Sequence, residues 1–205
     1  MILQELVLHN FGVYRGRQSF NLEPASEDKP IILIGAFNGS GKTTILSALN
    51  LVLYGKRALD RSQRRRGYEK YLSGAINREV SPGEGSAIEL RFRRAASGEE
   101  KSYTVYRAWT ARESGAIKEH FEVRVDNEVD SFLSDQWQDH VEHILPQQIM
   151  PLFFFDGEKI EDLADVQTSS ALLETALNGL LGLDLVERLT TDLKVYERRK
   201  RTRSL

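Results

Sequence analysis

Residues 31–44 constrain this chain more than any other stretch: Ile31-Ile32-Leu33-Ile34 runs into Gly35-Ala36-Phe37-Asn38-Gly39-Ser40-Gly41-Lys42-Thr43-Thr44. Four branched apolar residues predict a buried strand, the glycine-rich stretch predicts a loop, and a helix is expected to begin near Gly41. Strand, loop and helix in that order are the setting in which a phosphate-binding loop works. A polyphosphate is well solvated, so a protein must offer it many donors at once. Backbone N–H groups of residues 36–44 would converge on the phosphates, with the positive end of the helix dipole behind them. Gly39 and Gly41 lack the Cβ that would block so close an approach. Lys42 would place its ammonium on the β and γ phosphates, and the Thr43 hydroxyl is a hard oxygen donor suited to magnesium. The strict pattern G-x-x-x-x-G-K-[ST] asks for glycine where this chain has Ala36, whereas a looser form accepts alanine. The plainer alternative is a strand–turn–helix that happens to contain Gly-Lys-Thr.

At 205 residues the chain is long enough for one sizeable core, or one core with an appendage. No apolar stretch approaches the roughly 18 residues needed to span a bilayer. Met1 runs straight into Ile2-Leu3 without a basic-then-apolar leader, so a cytoplasmic location is expected. The chain has no cysteine, which excludes disulfides, iron–sulfur clusters and thiolate chemistry. A net charge of −2 hides a segregation of charge. Lys56, Arg57, Arg61, Arg64, Arg65, Arg66 and Lys70 stand against only Asp60 and Glu69 over residues 56–70. The balance reverses over 156–187, and Arg198-Arg199-Lys200-Arg201 with Arg203 make the end basic again.

Around the loop, residues 2–8 alternate as a strand, and Phe20 to Leu22 look like its partner across a turn containing Gly12 and Gly16. Ile45, Leu46, Leu49, Val52 and Leu53 carry the spacing of a helix over 42–54, with Gly55 as its stop. Residues 57–79 read as helical in pieces, and Pro82-Gly83-Glu84-Gly85 breaks the chain. The alternating runs Ala87–Phe92, Tyr103–Trp109 and His120–Val125 predict an antiparallel meander. Ser134 is expected to cap a helix over 135–145 that ends at Pro146. Leu152–Phe155 reads as a second short buried strand, with helices near 158–164, 169–181 and from Asp184 onward. In the last, Leu185, Leu189, Leu193 and Tyr196 form a stripe narrow enough to begin a coiled coil.

Several of these residues resemble one family, the SMC-like ATPases with ABC-type heads and long coiled coils. Leu8-His9-Asn10-Phe11 matches the opening strand motif of that family, and Asn38-Gly39-Ser40-Gly41-Lys42 matches its phosphate loop. Asn10-Phe11-Gly12-Val13-Tyr14-Arg15-Gly16 and Pro151-Leu152-Phe153-Phe154-Phe155-Asp156-Gly157-Glu158-Lys159-Ile160 look like the DndD branch, the ATPase of bacterial DNA phosphorothioate modification. The resemblance covers nearly the whole chain, as the N-terminal half of a head and the root of its coiled coil. It implies that Asp156 stands where related heads carry a glutamine contacting the metal and the attacking water. A basic residue of related heads is replaced by Gly12, and Arg15 or Arg17 would substitute for it near the nucleotide. The family's signature motif and its apolar strand ending in Asp-Glu are not found here, and the resemblance places both in a C-terminal half beyond the coiled coil. Leu152–Asp156 itself has the form of a magnesium-binding strand of another phosphate-loop fold.

Other features have two readings each. The basic run at 56–70 suits contacts with a DNA backbone or a solvated helix face, and it lacks the aromatic interleaving of single-strand binders. The basic end suits DNA at the coiled-coil root or the middle of a longer helix. His140 and His143, near Asp139 and Glu142, lack a third ligand at fixed spacing and read as surface decoration ahead of a metal site. Trp109, Trp137 and Phe153–Phe155 read as core.

The expected fold is therefore α/β: an ABC-type head lobe over 1–181, with a mixed sheet around the phosphate-loop helix and an antiparallel layer at one side, then a coiled-coil arm from 182–205. The expected cofactors are ATP and Mg2+, held by residues 36–44 with Arg15, and by Thr43 and Asp156 for the metal; Lys42 and Asp156 are the candidate catalytic residues. The resemblance implies that hydrolysis needs the C-terminal lobe and a second head in an ATP-dependent homodimer. It also implies that the chain works in the bacterial nucleoid with DNA sulfur-modification subunits and double-stranded DNA, without a membrane. The same head in double-strand-break repair or recombination is the first alternative. A non-enzymatic module with a degenerate site and a small self-contained kinase or GTPase are the others.

Overall fold

Alternation at period two over residues 2–11, 86–96, 99–111 and 117–125 puts one side chain in two on a common face, and that face is apolar. The computed structural model of the chain describes residues 1–150, apart from Glu27, Pro30, Asn38, Asp60, Arg61, Ser62, Arg64, Arg66, Ser97, Glu113, Gly115 and Gln148. Strands β1 (Ile2–Phe11), β2 (Tyr14–Asn21), β3 (Ser86–Ala96), β4 (Glu99–Ala111), β5 (Ile117–Val125) and β6 (Glu128–Val129) form a six-stranded sheet in the order β2-β1-β3-β4-β5-β6. Every neighbouring pair is antiparallel. The register lines up Leu6, Leu90, Val105 and Val123 across four strands, all buried. The next row on that face is Leu8, Ile88, Arg107 and Phe121.

Helix α1 (Lys42–Tyr54) packs its C-terminal half on this face against β1, β3 and β4, burying Ala48, Leu49, Leu51, Val52, Leu53 and Tyr54. Gly55, at φ 52°, ends the helix as expected and starts a 3-10 turn over Gly55–Ala58. Helix α2 (Tyr68–Ala75) follows, and α3 (Ser131–Asp135) and α4 (Trp137–Ile144) come after the sheet. Two buried indoles fasten helices to this core: Trp109 Nε1 donates to the Leu72 carbonyl at 2.8 Å, and Trp137 Nε1 to the Leu53 carbonyl at 2.9 Å. Each buried indole N–H thereby keeps a partner, as burial of a polar group requires.

The meander and the first hairpin match the sequence reading, with three corrections. Gly16 lies inside β2, so the tight turn is Gly12-Val13 alone. Ser134 does not cap a helix; Asp130 does, its Oδ1 accepting from Leu133 N–H at 2.8 Å, while Ser134 Oγ accepts from Val123 N–H at 2.9 Å and ties α3 to β5. Ile31–Ile34 is not a buried strand. These residues join no ladder among the described residues, with Ile31 85% and Leu33 91% exposed. An apolar run encodes a preference for burial, but a strand also needs a neighbour's N–H and C=O groups, and no described strand lies beside this one. The expected mixed sheet is accordingly wholly antiparallel over the described residues.

The chain divides into two compact units, Met1–Ile144 and Leu145–Leu205. Of the second, the described residues make one turn, with Ile149 N–H bonded to the Pro146 carbonyl at 3.1 Å. The strand at 152–155, Asp156, the later helices, the coiled-coil stripe and the boundary at 181/182 lie outside the described residues.

Candidate functional site

The loop and the start of α1 are shaped by two glycines at backbone angles that other residues adopt only with strain. Gly39 has φ 79° and Gly41, which precedes the helix, φ 105°. No side chain caps α1 and no acidic residue sits in its first turn, so the helix itself supplies no counter-charge to its positive end. Ser40 Oγ donates to the Phe37 carbonyl at 2.6 Å and closes the loop on itself. Lys42 Nζ donates to the Ala36 carbonyl at 3.3 Å, which stretches the ammonium back across the loop mouth. Lys42 and Thr43 are exposed, and Thr44 is half-buried.

The β1–β2 turn buttresses this loop. A Cβ on Gly41 would come within 2.6 Å of Val13 Cγ2 and 2.7 Å of the Tyr14 hydroxyl, which itself donates to the Gly41 carbonyl at 3.2 Å. Burial raises the Tyr14 pKa, so the hydroxyl keeps its proton and its role as donor. A Cβ on Gly12 would lie 2.7 Å from Thr44 Cγ2, which is why the turn carries glycine where a basic side chain was a possibility.

The turn is in turn clamped. Asn10, buried at φ 49°, accepts the Gly16 N–H on its Oδ1 at 2.9 Å and fills the register shift between β1 and β2. Asparagine is among the few residues that tolerate this left-handed conformation. Asn77 N–H donates to the Asn10 carbonyl at 2.7 Å, Asn77 Nδ2 to the Gly12 carbonyl at 2.8 Å, and Gly12 N–H to the Ala75 carbonyl at 2.7 Å. Phe11 meets Trp109 edge to face at 6.0 Å. The opening motif Asn10-Phe11-Gly12 is thus a mount that holds a turn against the loop.

A cleft of about 480 Å³ opens beside the first turn of α1, between the β1–β2 turn and α2, lined among others by Gly12, Thr43, Thr44, Gln63, Lys70 and Tyr71. The Thr43 hydroxyl on its wall fits the hard-oxygen coordination of magnesium. Gln63 and Tyr71 were not singled out in the sequence, and Lys70 was read only as part of the basic run, not as a neighbour of the loop. Their only signal was position in a polar run, because their approach to Thr43 is tertiary.

Of the remaining candidates, Arg15 forms an exposed ion pair with Glu79 at 3.3 Å. Arg17 lies opposite His9 in the β1–β2 register. Asp156 lies outside the described residues. In the basic run, Arg57 pairs with Glu142 at 3.7 Å, and Lys70 is on the cleft wall. His140 packs between the Trp137 and Tyr103 rings, and His143 Nδ1 lies 2.6 Å from the Asp139 carbonyl. Among the described residues no group of three or more His, Asp or Glu is placed to hold a metal, and no helix is long and apolar enough to cross a membrane.

A glycine-bent loop opening onto a bare helix start, with a lysine spanning it and a threonine beside it, is an arrangement that suits a nucleotide's phosphates. A family model described as AAA domain matches residues 5–203, nearly the whole chain, and the chain belongs to that family, as an ATPase domain of the SMC-like kind. No curated protein matches the chain.

Proposed function

We propose that this chain binds ATP with magnesium at the loop of residues 36–44 and, joined to a C-terminal lobe and a second head, hydrolyses it in bacterial DNA phosphorothioate modification. The observation that carries the nucleotide part is the uncapped start of α1 behind Gly41, with Lys42 Nζ already held across the loop mouth. In the proposed complex the ammonium exchanges the Ala36 carbonyl for phosphate oxygens, a stronger, charge-assisted partner. Backbone N–H groups of residues 38–44 would add donors, with Gly41 braced by Val13 and Tyr14 and the Ser40 N–H leaving the Phe37 carbonyl to join them. Thr43 would hold the metal, with Asp156 as the second ligand that the resemblance implies, and the metal would supply charge neutralisation at the phosphates. The cleft toward Gln63, Lys70 and Tyr71 would receive the nucleoside, and Arg15 would turn from Glu79 to the nucleotide.

The exposure of Ile31, Leu33 and Phe37 supports the need for a second lobe. Large apolar side chains side by side in water mark a surface that another segment covers, and an apolar segment outside the sheet beside a nucleotide loop suits the returning strands of the C-terminal half. The chain by itself would bind ATP and turn it over slowly. The motifs shared with the DndD branch support modification over repair. The test replaces Lys42 with Ala in the full-length natural protein in its host and measures phosphorothioate in hydrolysed genomic DNA by mass spectrometry. Loss of the modified linkage is expected. Unchanged phosphorothioate with new sensitivity to double-strand breaks would replace this assignment with the repair role.

A further inference from the structure

Arg107 is a charged residue in an apolar row of the sheet, 6% exposed between β3 and β5. Burying a guanidinium costs several kcal/mol unless its donors are met. Only part of this one is met. Nη1 pairs with the Glu119 carboxylate and lies 3.4 Å from the Tyr68 hydroxyl, which also donates to Glu119 at 2.7 Å. The plane of the group lies over the Phe121 ring, 4.4 Å from its centre. Nε is buried without a partner. Nη2 faces Gly55, where a Cβ would stand 2.9 Å away, so only a glycine lets the backbone pack this close to the guanidinium. A cleft of about 550 Å³ begins there, lined by Lys56, Arg57, Tyr68, Arg107, Glu119 and Gln138. Arg57 is engaged by the Gln138 carbonyl at 3.4 Å and by Glu142. Lys56 makes no ion pair among the described residues.

We propose that this cleft is a second anion site, in which Arg107 and Lys56 take a phosphate group of a nucleic-acid backbone or of a free polyphosphate. Glu119 is the one acidic lining residue among the described residues, and its charge is already shared by Arg107 and Tyr68, so the balance of the described lining is cationic. Arg107 and Lys56 reach the cleft from different elements, β4 and the turn after α1, so each supplies one cationic contact to a bound oxyanion. The site stands at the opposite end of α1 from the glycine-rich loop, about 20 Å away along thirteen residues of helix. It is therefore independent of the nucleotide reading.

The test uses the whole chain carrying Lys42→Ala, which removes the loop lysine from the measurement. The Arg107 Nε–H resonance, assigned by its loss in Arg107→Lys, is followed while sodium tripolyphosphate or a short DNA duplex is added. A saturable shift with either probe, weakened about tenfold by adding the exposed change Lys56→Glu, is the expected result. A shift with the duplex alone assigns the phosphate to a nucleic-acid backbone, and a shift with tripolyphosphate alone assigns it to a free polyphosphate. No shift with either, or equal affinity with and without Lys56→Glu, overturns the proposal.

Discussion

Asn77→Ala tests whether the opening motif mounts the loop. Asn77 is buried, and its side chain makes two bonds to backbone, Nδ2 to the Gly12 carbonyl at 2.8 Å and Glu79 N–H to Oδ1 at 3.0 Å. Each is worth about 1 kcal/mol net, and orphaning the half-buried Gly12 carbonyl adds to the loss. A decrease of about 2 kcal/mol is expected, or about 4–8 °C in Tm for a chain of this size. Urea unfolding followed by tryptophan fluorescence measures it, because Trp109 sits against Phe11 beside the turn. Asn77→Asp keeps an acceptor for Glu79 but sets a buried carboxylate oxygen against the Gly12 carbonyl, so it should be at least as destabilised as alanine. The loosened turn no longer braces Gly41 and Thr44, so nucleotide affinity should drop with stability. An alanine variant within about 0.5 kcal/mol of wild type, or an aspartate variant as stable as wild type, would refute the clamp.

Gly85→Ala should cost about 2–4 kcal/mol, since Gly85 sits at φ 72° and the added Cβ would meet the Trp109 carbonyl oxygen at 2.3 Å; a loss under about 1 kcal/mol by chemical denaturation would show the turn to be adaptable. The His140 pKa is lowered, first by burial and then by Arg94 and His143, against Asp130. The folded state therefore binds fewer protons than the unfolded one, so stability is full above the ordinary histidine pKa near 6.5 and declines as pH falls from there toward the depressed folded value. Comparing unfolding at neutral and mildly acidic pH, His140→Gln should flatten that decline, and an unaltered slope would assign it to other groups.

The parts of this fold that were legible in the sequence are those whose signal is local. Ile45, Leu49 and Val52 repeat at helical spacing and Gly55 can take the left-handed angle, so α1 was readable to within its ends. The β3–β5 meander was readable because alternation reports one buried face whichever strand lies alongside. Ile31–Ile34 misled because pairing is a property of the neighbour. Ser134 was expected to cap a helix over 135–145, but an earlier helix, Ser131–Asp135 capped by Asp130, contains it, and its hydroxyl is engaged by the Val123 N–H of another strand. At the site, Gly39, Gly41, Lys42 and Thr43 were evident from their spacing alone. Val13, Tyr14 and Asn77, which brace them, were not, because the contacts span 27 residues for the Tyr14–Gly41 bond and 65 for the Asn77–Gly12 bond. The same holds for Arg107, whose burial becomes visible only when β4 is placed between β3 and β5.

The central claim is that the amides and ammonium around Gly41 receive a nucleotide's phosphates. Calorimetric titration of the chain with a slowly hydrolysed ATP analogue, with and without magnesium, addresses it most directly. The account predicts one magnesium-dependent site in the wild type, weakened at least about tenfold by Lys42→Ala, which removes a charge-assisted contact. Equal affinity in the two proteins, or heat from neither, would contradict it.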